Sequence, residues 1–186
     1  MDTAAGRLLA RREIHAGRVG RFGIEDVRLP NGLEVSLEIL RHPGAAAVVP
    51  LHDDGSITLI RQYRHAGGGT IWEIPAGKLE PGEAPLACAE RELAEESGLA
   101  GDLAPLLPLL TTPAFTDEVI HLFVARGLRS VALALEADEV IEPVRLPRAE
   151  VERMIDAGEI RDAKTLVGIL LAWRGAGPDG LTSGGP

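Results

Sequence analysis

The stretch from Gly77 to Leu99, G-K-L-E-P-G-E-A-P-L-A-C-A-E-R-E-L-A-E-E-S-G-L, constrains this chain more than any other. Glu80-Pro81-Gly82-Glu83 is turn chemistry: proline presets φ, and glycine accepts conformations other residues resist. From Ala84 onward the residues are good helix formers, with Pro85 tolerable in a first turn. Ser97-Gly98 closes the helix, Gly98 being suited to a left-handed C-terminal position. The order is loop, helix, stop.

On that helix Leu86, Ala89, Leu93 and Ala94 fall mainly on one side and predict a core-facing stripe. Glu92 and Glu96 are four apart and stack on one face, with Glu95 beside them. Arg91 is four before Glu95 and can pair with it. Three carboxylates on two turns repel one another. An oxygen-only donor set of that kind suits a hard cation such as Mg²⁺. The plainer reading of a Glu-rich helix is a solvated acidic face.

The pattern G-x5-E-x7-R-E-U-x-E-E-x-G-U, with U aliphatic, decides between them. Gly77, Glu83, Arg91, Glu92, Leu93, Glu95, Glu96, Gly98 and Leu99 fill every fixed position of it. The stretch resembles the box of the Nudix hydrolase superfamily, and so many spaced matches are far more specific than a lone glycine motif. The resemblance implies an α/β fold, an α/β/α sandwich around a mixed β-sheet, with an N-terminal antiparallel sheet added in the sugar-nucleotide branch. It also implies a metal site built from Glu92, Glu95, Glu96 and Glu83.

Other properties narrow the function. The chain has 186 residues, room for one domain with a sizeable core. Its formal charge of -9 argues against nonspecific nucleic-acid binding, which needs a basic surface. An acidic protein acting on phosphates needs cations to neutralise them. The single cysteine, Cys88, excludes an intrachain disulfide framework and reads as core filler between Ala87 and Ala89. No apolar run reaches membrane-spanning length and no signal-peptide pattern opens the chain, so the expected compartment is the cytoplasm.

Residues 1–40 read as β-strands. Arg7 to Ile14 and Arg21 to Leu29 come first. Pro30-Asn31-Gly32 is a hairpin signal, and Leu33 to Leu40 alternates apolar with polar residues. By resemblance this element joins a homodimer and helps bind substrate. Residues 41–174 are expected to form the hydrolase domain, and Gly/Pro/Ser-rich 175–186 a disordered tail. Two short apolar strands lead to Arg61-Gln62-Tyr63-Arg64 and a glycine run. Two arginines there can clamp phosphate, although a basic edge strand with ordinary ion pairs is the plainer reading. R-Q-Y-R followed by W-E-I-P-A-G is similar to the run before the box in ADP-ribose pyrophosphatases. That similarity implies substrate contacts from Arg61, Arg64 and Glu73 and a metal contact from the Ala76 carbonyl. Trp72 reads as a partly buried core residue rather than a base-stacking platform.

Beyond the box, Leu103 to Leu110 is strand-like despite Pro105 and Pro108. The loop T-T-P-A-F-T-D-E, residues 111–118, is similar to the S-P-G-F-T-D-E segment of ADP-ribose pyrophosphatases, whose subfamily-marking proline corresponds to Pro113; the resemblance implies a substrate-binding role for Pro113. Ala114 replaces its glycine, and alanine resists positive φ. Val119 to Ala125 is a strand and Arg126 to Ala134 a connection. The acidic run 136–142 reads as a solvated loop. By resemblance it supplies the glutamate that activates water, Glu139 first and Glu142 second. Helices are expected over Arg148 to Ala157 and over Asp162 to Trp173, the latter with a core stripe.

The implied activity is Mg²⁺-dependent (alternatively Mn²⁺-dependent) hydrolysis of ADP-ribose to AMP and ribose 5-phosphate. Glu92, Glu96, Glu139 and Glu142 would form the catalytic set. Another nucleoside diphosphate sugar such as GDP-mannose is the alternative substrate. A non-catalytic nucleotide-sensing module is the alternative of another class, disfavoured by the intact carboxylates. An RNA-cap hydrolase is disfavoured by the acidic balance.

Overall fold

The computed structural model describes residues 6–135 and 140–175. They form two compact units, one of residues 6–44 with 110–119, the other of residues 45–109 with 120–135 and 140–175.

In the first unit, β1 (Arg7–Ala16), β2 (Arg21–Arg28) and β3 (Glu34–Arg41) form an antiparallel sheet in that order. The β2–β3 turn is the one its residues predict. The Asn31 side chain accepts from the Leu33 N–H at 3.1 Å, and Gly32 takes φ +86°. The 110–119 segment is tied to the end of β3 by Asp117, which accepts from the His42 N–H at 2.8 Å and from Arg41 at 3.0 Å. Every positive φ among the described residues belongs to glycine, so Ala114 sits in this loop without the strain its sequence position suggests.

The second unit is organised around β4 (Ala45–Pro50). It pairs antiparallel with β7 (Ala76–Lys78) and parallel with β9 (Val119–Ser130), which is followed by β8 (Leu99–Leu110): a mixed sheet of order β7-β4-β9-β8. A second sheet, β10 (Ile141–Leu146), β5 (Ile57–Arg64) and β6 (Gly69–Glu73), is antiparallel. Strand alternation on β4 builds the layers. Ala46 and Val48 meet Cys88, Ala89 and Leu93 of α1 (Pro85–Ser97). Ala45, Ala47 and Val49 join a separate cluster with residues of α2 (Arg148–Asp156) and α3 (Ala163–Trp173). Helices thus cover both faces, and the expected α/β/α class with a mixed sheet and an added antiparallel sheet is borne out. Gly168 lets α3 approach closely: a Cβ there would lie 3.0 Å from Val49 and 3.1 Å from Ile74.

Three local expectations need correction. β8 begins at Leu99, directly after the helix stop, and runs through both prolines. It lies at a sheet edge, where a missing N–H is tolerated. β9 continues to Ser130, through the segment expected to be a connection. Leu86 is 44% exposed, while the buried positions of α1 are Cys88, Ala89, Glu92, Leu93, Glu96 and Ser97. The inward face is rotated so that it includes two of the carboxylates. No described helix is long and apolar enough to cross a membrane.

Candidate active site

The box helix begins as its residues dictate. Pro85 occupies the first turn, and Gly98 ends it at φ +64° with its N–H on the Ala94 carbonyl. What the sequence does not reveal is the depth of the acids. Glu92 is 7% and Glu96 1% exposed, so neither belongs to a solvated face. Buried carboxylates need partners. Glu96 accepts from the Ala76 N–H at 2.8 Å, which brings the backbone of β7 against the helix. Gly77 is fixed by the same contact surface: a Cβ there would fall 1.7 Å from a carboxylate oxygen of Glu92. A side chain at the box glycine would displace the Glu92 carboxylate from this position.

Arg91 gathers the other acids. Its Nε and Nη2 donate to Glu83 at 2.9 and 3.1 Å, and Nη1 donates to Glu92 at 2.6 Å and Glu95 at 3.0 Å. The Arg91 hydrogen bonds hold the Glu83 carboxyl down to about 2, and those to Glu83 raise the Arg91 guanidinium above its ordinary value. Glu83 also accepts from the Glu80 N–H at 2.9 Å, closing the loop before the helix. The arginine therefore orients carboxylates, as its spacing predicts. Burial pushes the Cys88 thiol up to about 12, consistent with packing and not with nucleophilic chemistry.

Among the described residues no three His, Cys, Asp or Glu side chains already surround a common point as a finished metal site. The donor chemistry nevertheless suits a hard divalent ion. Glu92, Glu95 and Glu96 offer only oxygens, and the cradle at Gly77 keeps room for the Glu92 carboxylate.

A second group of polar side chains lies on the β10-β5-β6 sheet. Register sets Arg61 between Trp72 and Glu142. Its guanidinium stands 5.5 Å from the centre of the Trp72 ring and bonds Glu142 at 3.2 Å. Trp72 is half-buried and packs against the core. The alternate face carries Gln62 and Arg64. Gln62 is buried and its side-chain oxygen has no hydrogen-bond partner. Arg64 Nε donates to Glu73 at 2.8 Å. Glu73, 3% exposed, also accepts from Lys164 at 2.6 Å. Sequence reasoning missed Lys164, because α3 was read for its apolar stripe alone. The only local signal is Asp162, which caps the helix by accepting from the Thr165 N–H at 3.0 Å.

The structure thus groups Ala76, Glu83, Glu92, Glu95 and Glu96, and separately Arg64 with Glu73 and Arg61 with Glu142. Pro113 lies in the loop of the first unit, and Glu139 lies outside the described residues.

A NUDIX domain matches residues 40–167, most of the chain, and the chain belongs to that family. It is a Nudix pyrophosphohydrolase of the ADP-ribose pyrophosphatase-like branch, a family that works with divalent metal ions. Its relatives include the methanol dehydrogenase activator of Bacillus methanolicus, 41% identical over 84% of this chain and 86% of that protein. The ADP-ribose pyrophosphatase of Bacillus subtilis (strain 168) is 38% identical over 91% of this chain and 93% of its own. The ADP-ribose pyrophosphatase of Mycobacterium tuberculosis is also 38% identical, over 84% and 78%. The crystal structure of ADP compounds hydrolase has a TM-score of 0.79 at 24% identity, covering 94% of this chain and 95% of that one, a likeness of fold.

Proposed function

We propose that the protein hydrolyses the pyrophosphate bond of ADP-ribose, giving AMP and ribose 5-phosphate, with Mg²⁺ as its ion. The observation that carries this reading is the burial of Glu92 and Glu96 on the inner face of α1, against the β7 backbone and the side-chain-free Gly77. Acids that are merely solvating do not occupy such positions. The 38% identity to two ADP-ribose pyrophosphatases supports the choice of substrate.

Glu92, Glu95 and Glu96, with Glu83 and the Ala76 carbonyl, would hold the metal. Such ions, when bound, polarise phosphoryl oxygens and acidify water. The protein's own groups do the rest. Arg61 and Arg64 hold the anionic diphosphate or the terminal ribose, and the fork of each guanidinium suits paired phosphoryl oxygens. Glu73 positions Arg64. Glu139 takes the proton of the attacking water. Glu142, paired with Arg61, is the second candidate for that role. Residues 1–40 serve a homodimer, and the enzyme acts in the cytoplasm.

Glu92→Gln and Glu96→Gln should each lower turnover by about 10²-fold or more with the fold retained, since a metal contact is worth several kcal/mol and each 1.36 kcal/mol is tenfold. Near-normal turnover in both would sink the metal assignment. Under the same conditions ADP-ribose should exceed nucleoside triphosphates in kcat/KM. A second reading, action upon a dehydrogenase, has the 41% identity to the methanol dehydrogenase activator in its favour. Adding the protein to a methanol dehydrogenase assay tests it: stimulation supports this second reading, and an unchanged rate removes it.

A further inference from the structure

Glu73 is a buried carboxylate held from two sides. Its Oε2 accepts from Arg64 Nε at 2.8 Å and its Oε1 from Lys164 Nζ at 2.6 Å. Lys164 is itself nearly buried and is braced by Asp162 at 3.0 Å. Asp162 accepts from the Thr165 hydroxyl at 2.6 Å, and that hydroxyl accepts from the Ile74 N–H at 2.9 Å. Ile74 follows Glu73 in the chain. The result is a closed ring, Glu73–Lys164–Asp162–Thr165–Ile74, joining the start of α3 to the end of β6.

Arg64 stands outside that ring, with two-fifths of its side chain exposed. Glu73 grips it through Nε alone, and among the described residues its two terminal nitrogens have no hydrogen-bond partner. Arginine and a carboxylate with both oxygens available form a fork-to-fork pair, which would consume a terminal nitrogen. Here Lys164 bonds Oε1 from the α3 side, and Arg64 meets the carboxylate end-on, through Nε to Oε2 alone.

We propose that Lys164 is a positioning residue: by holding Glu73 Oε1 it confines Arg64 to Oε2, so that both terminal nitrogens of Arg64 stay available to an anionic phosphoryl group. The binding half of this inference rests on the reading above, that the protein takes a nucleoside diphosphate sugar. The cation pair also balances charge. When Arg64 turns toward a phosphate, Glu73 keeps Lys164 as a partner and is not left buried and unpaired.

The test is a double-mutant cycle in the full chain with Arg64→Met and Lys164→Met, singly and together. It is read by KM for ADP-ribose, by Kd for its nonhydrolysable α,β-methylene analogue, and by the NMR signal of the Arg64 Nε–H. Each single change should raise KM and Kd about tenfold, the size of one lost charge-assisted hydrogen bond, with kcat changed less. The double variant should be no worse than Arg64→Met alone, because Lys164 acts through Arg64. In ligand-free Lys164→Met the Arg64 Nε–H should exchange more slowly with solvent, as Glu73 takes the guanidinium side-on. Lys164→Arg should restore binding. Additive losses, an unchanged Kd, or an Arg64 signal that exchanges no more slowly would overturn the proposal. If Lys164→Met does not fold, Lys164→Ser, too short to reach Glu73, is read the same way. Failure of the wild-type protein to bind the analogue would remove the substrate reading, while the Arg64 signal still decides what Lys164 does.

Discussion

In the unit built on β4, successive side chains enter two apolar layers, one under α1 and one under α2 and α3. In the unit built on β1 to β3, every residue of β1 is exposed and the buried positions of β2 are Gly23 and Glu25. Ion pairs do the knitting there: Arg21 with Glu13, Arg28 with Glu34, and Arg11 and Arg41 on Glu25. A buried strand of Ala and Val and an exposed strand rich in Arg can share one backbone geometry while resting on different forces. Apolar burial contributes broadly and does not depend on ionic screening. Ion pairs contribute locally, and those at the surface contribute little.

The comparison can be broken at its strongest point. Leu93→Ala, in the layer beneath α1, should cost about 2–5 kcal/mol and lower the melting temperature of the whole chain. A loss below about 1 kcal/mol would mean that the β4 unit does not depend on burial as described. The next effect is smaller and confined. Hydrogen bonding from Arg41 holds the Glu25 carboxyl below its usual range of 4.5, against the opposing effect of its burial. A carboxyl lowered in the folded state lends stability above its unfolded value and loses it as pH falls through the folded one. Amide protection in β2 and β3, corrected for intrinsic rates, should therefore decline below pH 4.5 while β4 is unaffected. Glu25→Gln should flatten that decline and cost about 1–3 kcal/mol locally. The smallest effect is expected of Arg21→Ala, an exposed pair worth at most about 1 kcal/mol. A larger loss would show that the sheet relies on its outermost charges.

Much of this was legible in the residues. The loop-helix-stop of the box, the left-handed Gly98, the Asn31-Gly32 hairpin and the two closing helices all follow local rules that act within a few positions. The boundaries of β8 and β9 did not follow. Pro105 and Pro108 argue against a strand until the strand is known to lie at an edge. Leu86 misled for a related reason: helical spacing gives a stripe its width but not its rotation against the sheet. The Glu73–Lys164 pair spans 91 residues and could not be read from spacing. Arg61, Arg64 and the Pro113 loop were singled out through family resemblance, because a short basic strand and a Thr/Pro loop mean little by themselves.

Cys88 has a practical consequence. It is the sole sulfhydryl of the chain, sits on the buried face of α1, and is disfavoured as a thiolate. The folded protein is therefore a silent background for maleimide labelling. A cysteine introduced on exposed β1 would carry a fluorophore or spin label at one defined point, without first deleting a native residue.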